Sequence, residues 1–140
     1  FRPEDLAQLL ETLVGRDAVS ELGLAEQENL KQRTALARAL IKDPPILILD
    51  DAFSSVDAET EEEILRELKQ FMRGRTTLLI SHRISTVREA DMIVYLRGGE
   101  IIEQGTHEEL LSRRGAYYDL FRHQSLSREV EVIGGKERRL

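Results

Sequence analysis

The sequence predicts an α/β fold: parallel core strands with intervening helices, followed by a β-hairpin and more helices. Three observations carry this expectation. Pro44-Pro45-Ile46-Leu47-Ile48-Leu49-Asp50-Asp51 sets four branched aliphatics between a double proline and two carboxylates, the pattern of a strand buried in a parallel sheet. Thr76-Thr77-Leu78-Leu79-Ile80 is a second such strand, after a segment of helical period. Further on, two short apolar runs flank Gly98-Gly99, which supply the positive φ of a tight hairpin.

Length and composition narrow the class. A chain of 140 residues is one domain's worth, and 41% hydrophobic with 33% charged residues describes an ordinary globular protein. A net charge of −6 argues against a general nucleic-acid binder, which needs a basic face. There is no cysteine, so disulfides and thiolate chemistry are excluded. The three histidines, His82, His107 and His123, have no zinc-ligand spacing. No apolar run approaches the ~20 residues that span a bilayer, and the chain does not open on a signal peptide. A soluble, cytoplasmic protein is the expectation.

In order, Pro3 opens a helix whose face is Leu6, Leu9, Leu10 and Leu13, and Ala18 to Leu22 makes a second short one before Gly23. Ala25 to Lys42 is helical until Asp43-Pro44-Pro45 stops it, and reads as a solvated basic surface helix. Ser54-Ser55-Val56-Asp57 is a turn cluster, with Asp57 or a neighbour capping a helix from about Ala58 to Met72. Its glutamates match the positive end of the helix dipole and are expected in solvent. Ile64, Leu65, Leu68 and Phe71 form its buried face. After the second strand come a short helix from Ile84 to Ala90, then the hairpin Asp91–Leu96 and Glu100–Gln104. Thr106-His107-Glu108-Glu109 fits a capping box, with His107 a surface residue in the first turn. Gly115 to Phe121 closes the fold, and beyond His123 a mobile charged tail is expected.

Open α/β sheets hold ligands beyond the carboxyl ends of their strands. Asp50 and Asp51 stand at one such end and Ser81-His82-Arg83 at the other, which makes Asp50, Asp51 and His82 the candidate site. The plainer alternatives are a strand ending in a polar turn and a structural histidine.

The succession of pieces is familiar. Gln32-Arg33-Thr34-Ala35-Leu36-Ala37-Arg38-Ala39-Leu40 leads into a strand ending Asp-Asp, then Ser-Ser-Val-Asp, a strand ending Ser81-His82-Arg83, and Gly-Gly-Glu-Ile-Ile-Glu-Gln-Gly-Thr-His. From Lys31 to His123 this resembles the C-terminal part of the nucleotide-binding domain of an ATP-binding-cassette exporter. The resemblance implies part of a P-loop NTPase three-layer fold, divided as a divergent helical segment 1–30, a half-domain 31–123 and a flexible tail 124–140. It implies Mg²⁺ and ATP, with Asp50 as the Walker B metal ligand, Asp51 at the position of the catalytic base and His82 as the switch histidine. Ser55 and Asp57 would belong to the D-loop at the nucleotide interface. Partners implied are a second nucleotide-binding domain or another copy of the chain, and a transporter's transmembrane domains, at the cytoplasmic face of a membrane.

Three departures from the family pattern bear on activity. The base position holds Asp rather than Glu. Glu26-Gln27-Glu28-Asn29-Leu30 stands where the family has LSGGQ, with no glycine for phosphate approach and with two carboxylates that repel it. No Gly-x-x-x-x-Gly-Lys-Ser/Thr occurs, and Gly134-Gly135-Lys136 lacks the spacing. The expectation is a transporter ATPase fragment, inactive or very weak alone. The alternatives are a non-enzymatic α/β scaffold, truncated, recombined or designed, and a module docking on another ATPase domain through the Asp57 turn.

Overall fold

A computed structural model describes residues 24–137, with side chains over 28–133. The predicted helix from Pro3 to Leu13 and that at Ala18–Leu22 lie outside the described residues, as does most of the proposed segment 1–30. The order is α1 (Leu24–Ile41), β1 (Ile46–Asp50), α2 (Ala58–Met72), β2 (Thr76–Ile80), α3 (Ile84–Val87), β3 (Ile93–Arg97), β4 (Glu100–Gly105), α4 (His107–Arg113) and α5 (Ala116–Glu137). The α/β class is as the sequence predicts. The chain divides into two compact units, meeting between His82 and Arg83.

In the first unit β1 and β2 pair in parallel, Ile46 with Thr76 through Asp50 with Ile80. A parallel pair needs a crossover, and α2 provides it. Leu36, Ala37 and Leu40 of α1, Leu47 and Leu49 of β1, and Ile64, Leu68 and Phe71 of α2 form one core. Full burial of a leucine or isoleucine stabilises by roughly 1.5–3 kcal/mol, so Leu40, Ile64 and Leu68 alone outweigh any propensity term. Helix α1 is therefore not the solvated helix expected: its inner face is Leu36, Ala37 and Leu40, whereas Ile41 is exposed. Glu61 also departs from expectation. It lies one turn before Ile64 on the inward stripe and is 1% exposed, so it is not part of a solvated acidic cluster.

The parallel strands alternate rather than being buried on both faces. Leu47 and Leu49 point into the core, whereas Ile46 and Ile48 are each 61% exposed, Leu78 52% and Ile80 48%. Among the described residues both helices of this unit pack on one face of the sheet. The opposite end of the sheet is tied by Arg75, whose guanidinium donates to the Pro44 carbonyl and to Asp43 at 2.9 Å each and lies 3.7 Å over the Phe71 ring.

In the second unit β3 and β4 form the antiparallel hairpin, turning at Gly98 and Gly99 with φ of 59° and 80°. Two successive positive φ values suit glycine and match the strand twist. The Thr106 capping box on α4 is complete in both directions. The Glu103 carboxylate packs on Gly115 and accepts from the Tyr117 N–H at 2.8 Å, fastening β4 to the start of α5. His107 is not a plain surface residue. It is half-buried, its Nδ1 hydrogen-bonds the Tyr117 hydroxyl at 2.7 Å, and its ring meets Tyr117 and Phe121 edge-on. Helix α5 runs to Glu137 instead of ending near Phe121, so residues beyond His123 continue a helix where a tail was expected. Gln124 belongs to this unit, its Oε1 accepting from the Ile84 N–H at 2.9 Å.

Candidate functional site

The candidate site grows from the carboxyl end of the parallel pair. Register pairs Asp50 with Ile80, so Asp51 and Ser81-His82 leave the sheet at the same end. Asp51 turns the chain sharply with φ 51°, a left-handed conformation that aspartate tolerates better than most residues. Its N–H donates to the Ile80 carbonyl at 2.8 Å, so the turn stays attached to β2 beyond the last strand residue. Asp50, Asp51 and His82 are all exposed there.

From Asp51 the chain loops back to α2. Phe53 and Val56 are buried in the core and anchor the loop, while the Val56 N–H donates to the Phe53 carbonyl at 3.0 Å. Between these anchors Gln32 reaches over from α1. Its Oε1 accepts from the Ser55 N–H at 2.9 Å and its Nε2 donates to the Ser54 hydroxyl at 2.7 Å. Asp57 caps α2, accepting from the Thr60 N–H at 3.1 Å. The hydrogen bond from the Thr60 side chain, then that from its backbone, with the Arg33 charge adding, holds the Asp57 carboxyl below its ordinary 3.8.

Beside these carboxylates an open cavity of about 260 Å³ lies between α1 and the end of β1, lined by Gln32, Ala35, Ala39, Ile48, Asp50 and Asp51 among others. The described residues contain no cluster of three or more His, Cys, Asp or Glu side chains able to cage a metal. Mg²⁺ does not require such a cage, because it is commonly held by one or two carboxylates, several waters and substrate phosphates. Exposed Asp50, with Asp51 next to it, fits that mode. The phosphates themselves have no glycine-rich cradle in this sequence.

Sequence reasoning therefore brought Asp50, Asp51 and His82 to one end of a sheet, and Ser55 and Asp57 to the adjoining turn. It missed Gln32 as a contact of that turn. The signal available was a polar residue two positions after the atypical Glu26–Leu30 run, on a helix entering the same strand. Nothing in its periodicity marked it.

Known proteins bear on this geometry. No protein-family model matches the chain. The "ATP-dependent lipid A-core flippase" of Syntrophus aciditrophicus is 53% identical over 114 residues, covering 81% of this chain and 19% of the flippase. The "Multidrug resistance protein 4" of Entamoeba histolytica is 47% identical over 113 residues, covering 81% of the chain and 9% of that protein. Among solved structures, one of a bacterial Atm1-family ABC exporter with ATP bound superposes with a TM-score of 0.72 at 34% identity, covering 88% of this chain and 24% of the exporter chain. The chain thus spans about a fifth or less of the curated relatives described here. No helix among the described residues is long and apolar enough to cross a membrane.

Proposed function

From the homology of this chain to the C-terminal part of ATP-binding-cassette exporters, we propose that it is the segment of an exporter nucleotide-binding domain that carries the metal ligand, the base and the switch histidine. The turn after β1 carries the reading: Asp50 and Asp51 at the strand end, the Asp51 N–H on β2, and His82 leaving the sheet at the same edge.

The chemistry proposed is hydrolysis of ATP at its terminal phosphate, coupled to transport in the complete protein. When bound, Mg²⁺ would neutralise phosphate charge, and Asp50 is the residue to hold it through water. Asp51 would orient the attacking water and accept its proton. His82 would donate to the γ-phosphate, where charge develops. Ser55 and Asp57 would face a second nucleotide-binding domain.

One feature is expected to slow this site, and a second a partner's. Aspartate withdraws the base carboxylate by roughly 1.5 Å relative to glutamate, and a misplacement of that order costs ~10²-fold in rate. Glu26 to Leu30 lie inside α1, and from Glu28 onward the backbone N–H groups are taken by the helix's own carbonyls. Those positions offer no free amides to a partner's nucleotide. The chain alone, without a phosphate loop in its sequence, is expected not to turn over ATP.

Grafting residues 31–123 into the Syntrophus aciditrophicus flippase in place of its own segment tests this. The expected outcome is Mg-ATP hydrolysis slower than the parent's, removed by Asp50→Asn. Calorimetry of the 140-residue chain with Mg-ATP is expected to show no heat. Turnover by the chain alone that vanishes in Asp51→Asn, or a graft indifferent to Asp50→Asn, overturns the proposal. The bare apolar face of β1 and β2 weighs against a free-standing scaffold, because such a face belongs against another layer. A docking module remains a distinct reading, and charge reversal at Asp57 separates it, since only a docking surface loses partner binding.

A further inference from the structure

Gln32 makes two long-range side-chain hydrogen bonds to the turn that carries the candidate site. An unprotonated acceptor must face the Ser55 N–H, because a backbone amide can only donate. This fixes the side-chain amide of Gln32 with Oε1 at Ser55 at 2.9 Å and Nε2 at the Ser54 hydroxyl at 2.7 Å. The same side chain lines the cavity that borders Asp50 and Asp51. The turn it grips is held at one end by the Asp51 N–H on Ile80 and at the other by Asp57 capping α2. Between them Phe53 and Val56 are buried, while Ser54 is exposed and Ser55 half-buried, and polar contacts guide the path of this stretch.

We infer that Gln32 is a positioning residue: its amide fork locks Ser54-Ser55 to helix α1 and thereby holds Asp51 and Asp57 in register with each other. The catalytic consequence rests on the function proposed above, whereas the lock itself does not. Only an amide supplies a donor and an acceptor side by side at this reach. Leucine has nearly the same bulk but neither group. Glutamate keeps the acceptor at Ser55 and can accept from the Ser54 hydroxyl once that hydroxyl rotates. Asparagine is shorter by one methylene and loses contact.

Two measurements test this. In the 140-residue chain, hydrogen exchange of the Ser55 amide is followed in Gln32→Leu, Gln32→Glu and Ser54→Ala. Exchange is expected to accelerate roughly tenfold in Gln32→Leu, because the N–H loses its partner, and to be restored largely in Gln32→Glu. Ser54→Ala keeps the Ser55 acceptor and is expected to show a smaller change, and it serves if Gln32→Leu does not fold. Amides of the Leu47–Leu49 core strand are expected to be unchanged, which a general loss of stability would not leave so. Unchanged Ser55 exchange in Gln32→Leu overturns the lock.

In the flippase graft, Gln32→Leu is expected to lower kcat roughly tenfold with KM for ATP within about twofold, since a shifted base and turn alter the transition state more than ground-state binding. Recovery of kcat in Gln32→Glu supports positioning. A rise in KM at constant kcat overturns it. An inactive graft with altered Ser55 exchange sinks the functional proposal and its catalytic consequence together, and leaves the lock standing on the exchange data.

Discussion

The two units of this chain differ in how much of their fastening is local. In the second, most of the fastening is local, with a hairpin closed by two glycines, a capping box spanning four residues and His107 bonded to Tyr117 ten residues on. Gln124 reaching back forty residues to Ile84 is the exception. In the first, the sheet and the turn that carries the candidate site rest on contacts distant in sequence. β1 pairs with β2 some thirty residues later, Arg75 binds Asp43 and Pro44, and Gln32 binds Ser54 and Ser55. The distant-contact unit also holds the candidate site and the sheet with one bare apolar face. Chemistry that needs groups from several segments is assembled by non-local packing, and that packing is what a short stretch of sequence reveals least.

The widest separation is expected across the faces of β1. Leu47 is 2% exposed and Ile48 61% exposed, although they are adjacent and equally apolar. Leu47→Lys buries an unpaired charge and is expected to remove more than ~4 kcal/mol, enough to unfold a marginally stable domain. Ile48→Lys is expected to change stability by under ~0.5 kcal/mol. Denaturant titration of both variants decides it. A large loss in Ile48→Lys means that the face is covered in solution, and a concentration-dependent midpoint identifies a second copy as the cover.

A smaller effect belongs to the local unit. Burial pushes the Tyr117 phenol up from 10.0 to about 12. A raised folded value means the neutral form is favoured, so this contribution is full below pH 10 and is lost as pH rises towards about 12. Phenolate absorbance should show a tyrosine that titrates only near pH 12. Tyr117→Phe removes the bond to His107 and is expected to cost about 1 kcal/mol at neutral pH, while abolishing that late titration.

Smaller still, and dependent on acid, is the cap at Asp57. Asp57→Ala is expected to cost up to ~1 kcal/mol at pH 7. The Asp57 carboxyl is depressed below 3.8, so the cap contributes above that value and its contribution disappears as pH falls through the lowered one. Stability curves of wild type and variant should therefore converge in acid. Curves that stay parallel down to pH 2 show that the carboxylate charge is irrelevant.

What was legible depended, in both units, on how far apart in sequence the deciding residues lie. The spans of β1, α2 and β2 were readable because Pro44-Pro45, Asp57 and Gly74 punctuate the chain at their ends and apolar residues recur at the right period between them. The capping box and hairpin were readable for the same local reason. Glu61 was misread because charge near a helix start predicts solvent, whereas its angular position beside Ile64 decides burial. The continuation of α5 past His123 was missed because Ser and Val are indifferent helix formers, and the Gln124 contact with Ile84 lies forty residues away.

By itself the sequence determined the class of fold, the order of elements, and the placement of Asp50, Asp51 and His82 at strand ends, since periodicity and breakers act over a few residues. Only the tertiary structure decided which face of β1 is buried, that α1 belongs to the core, and that Gln32 grips the Ser54-Ser55 turn. An aliphatic strand can bury either face, and a glutamine carries no record of its partner. Both are settled by what the rest of the chain packs against them.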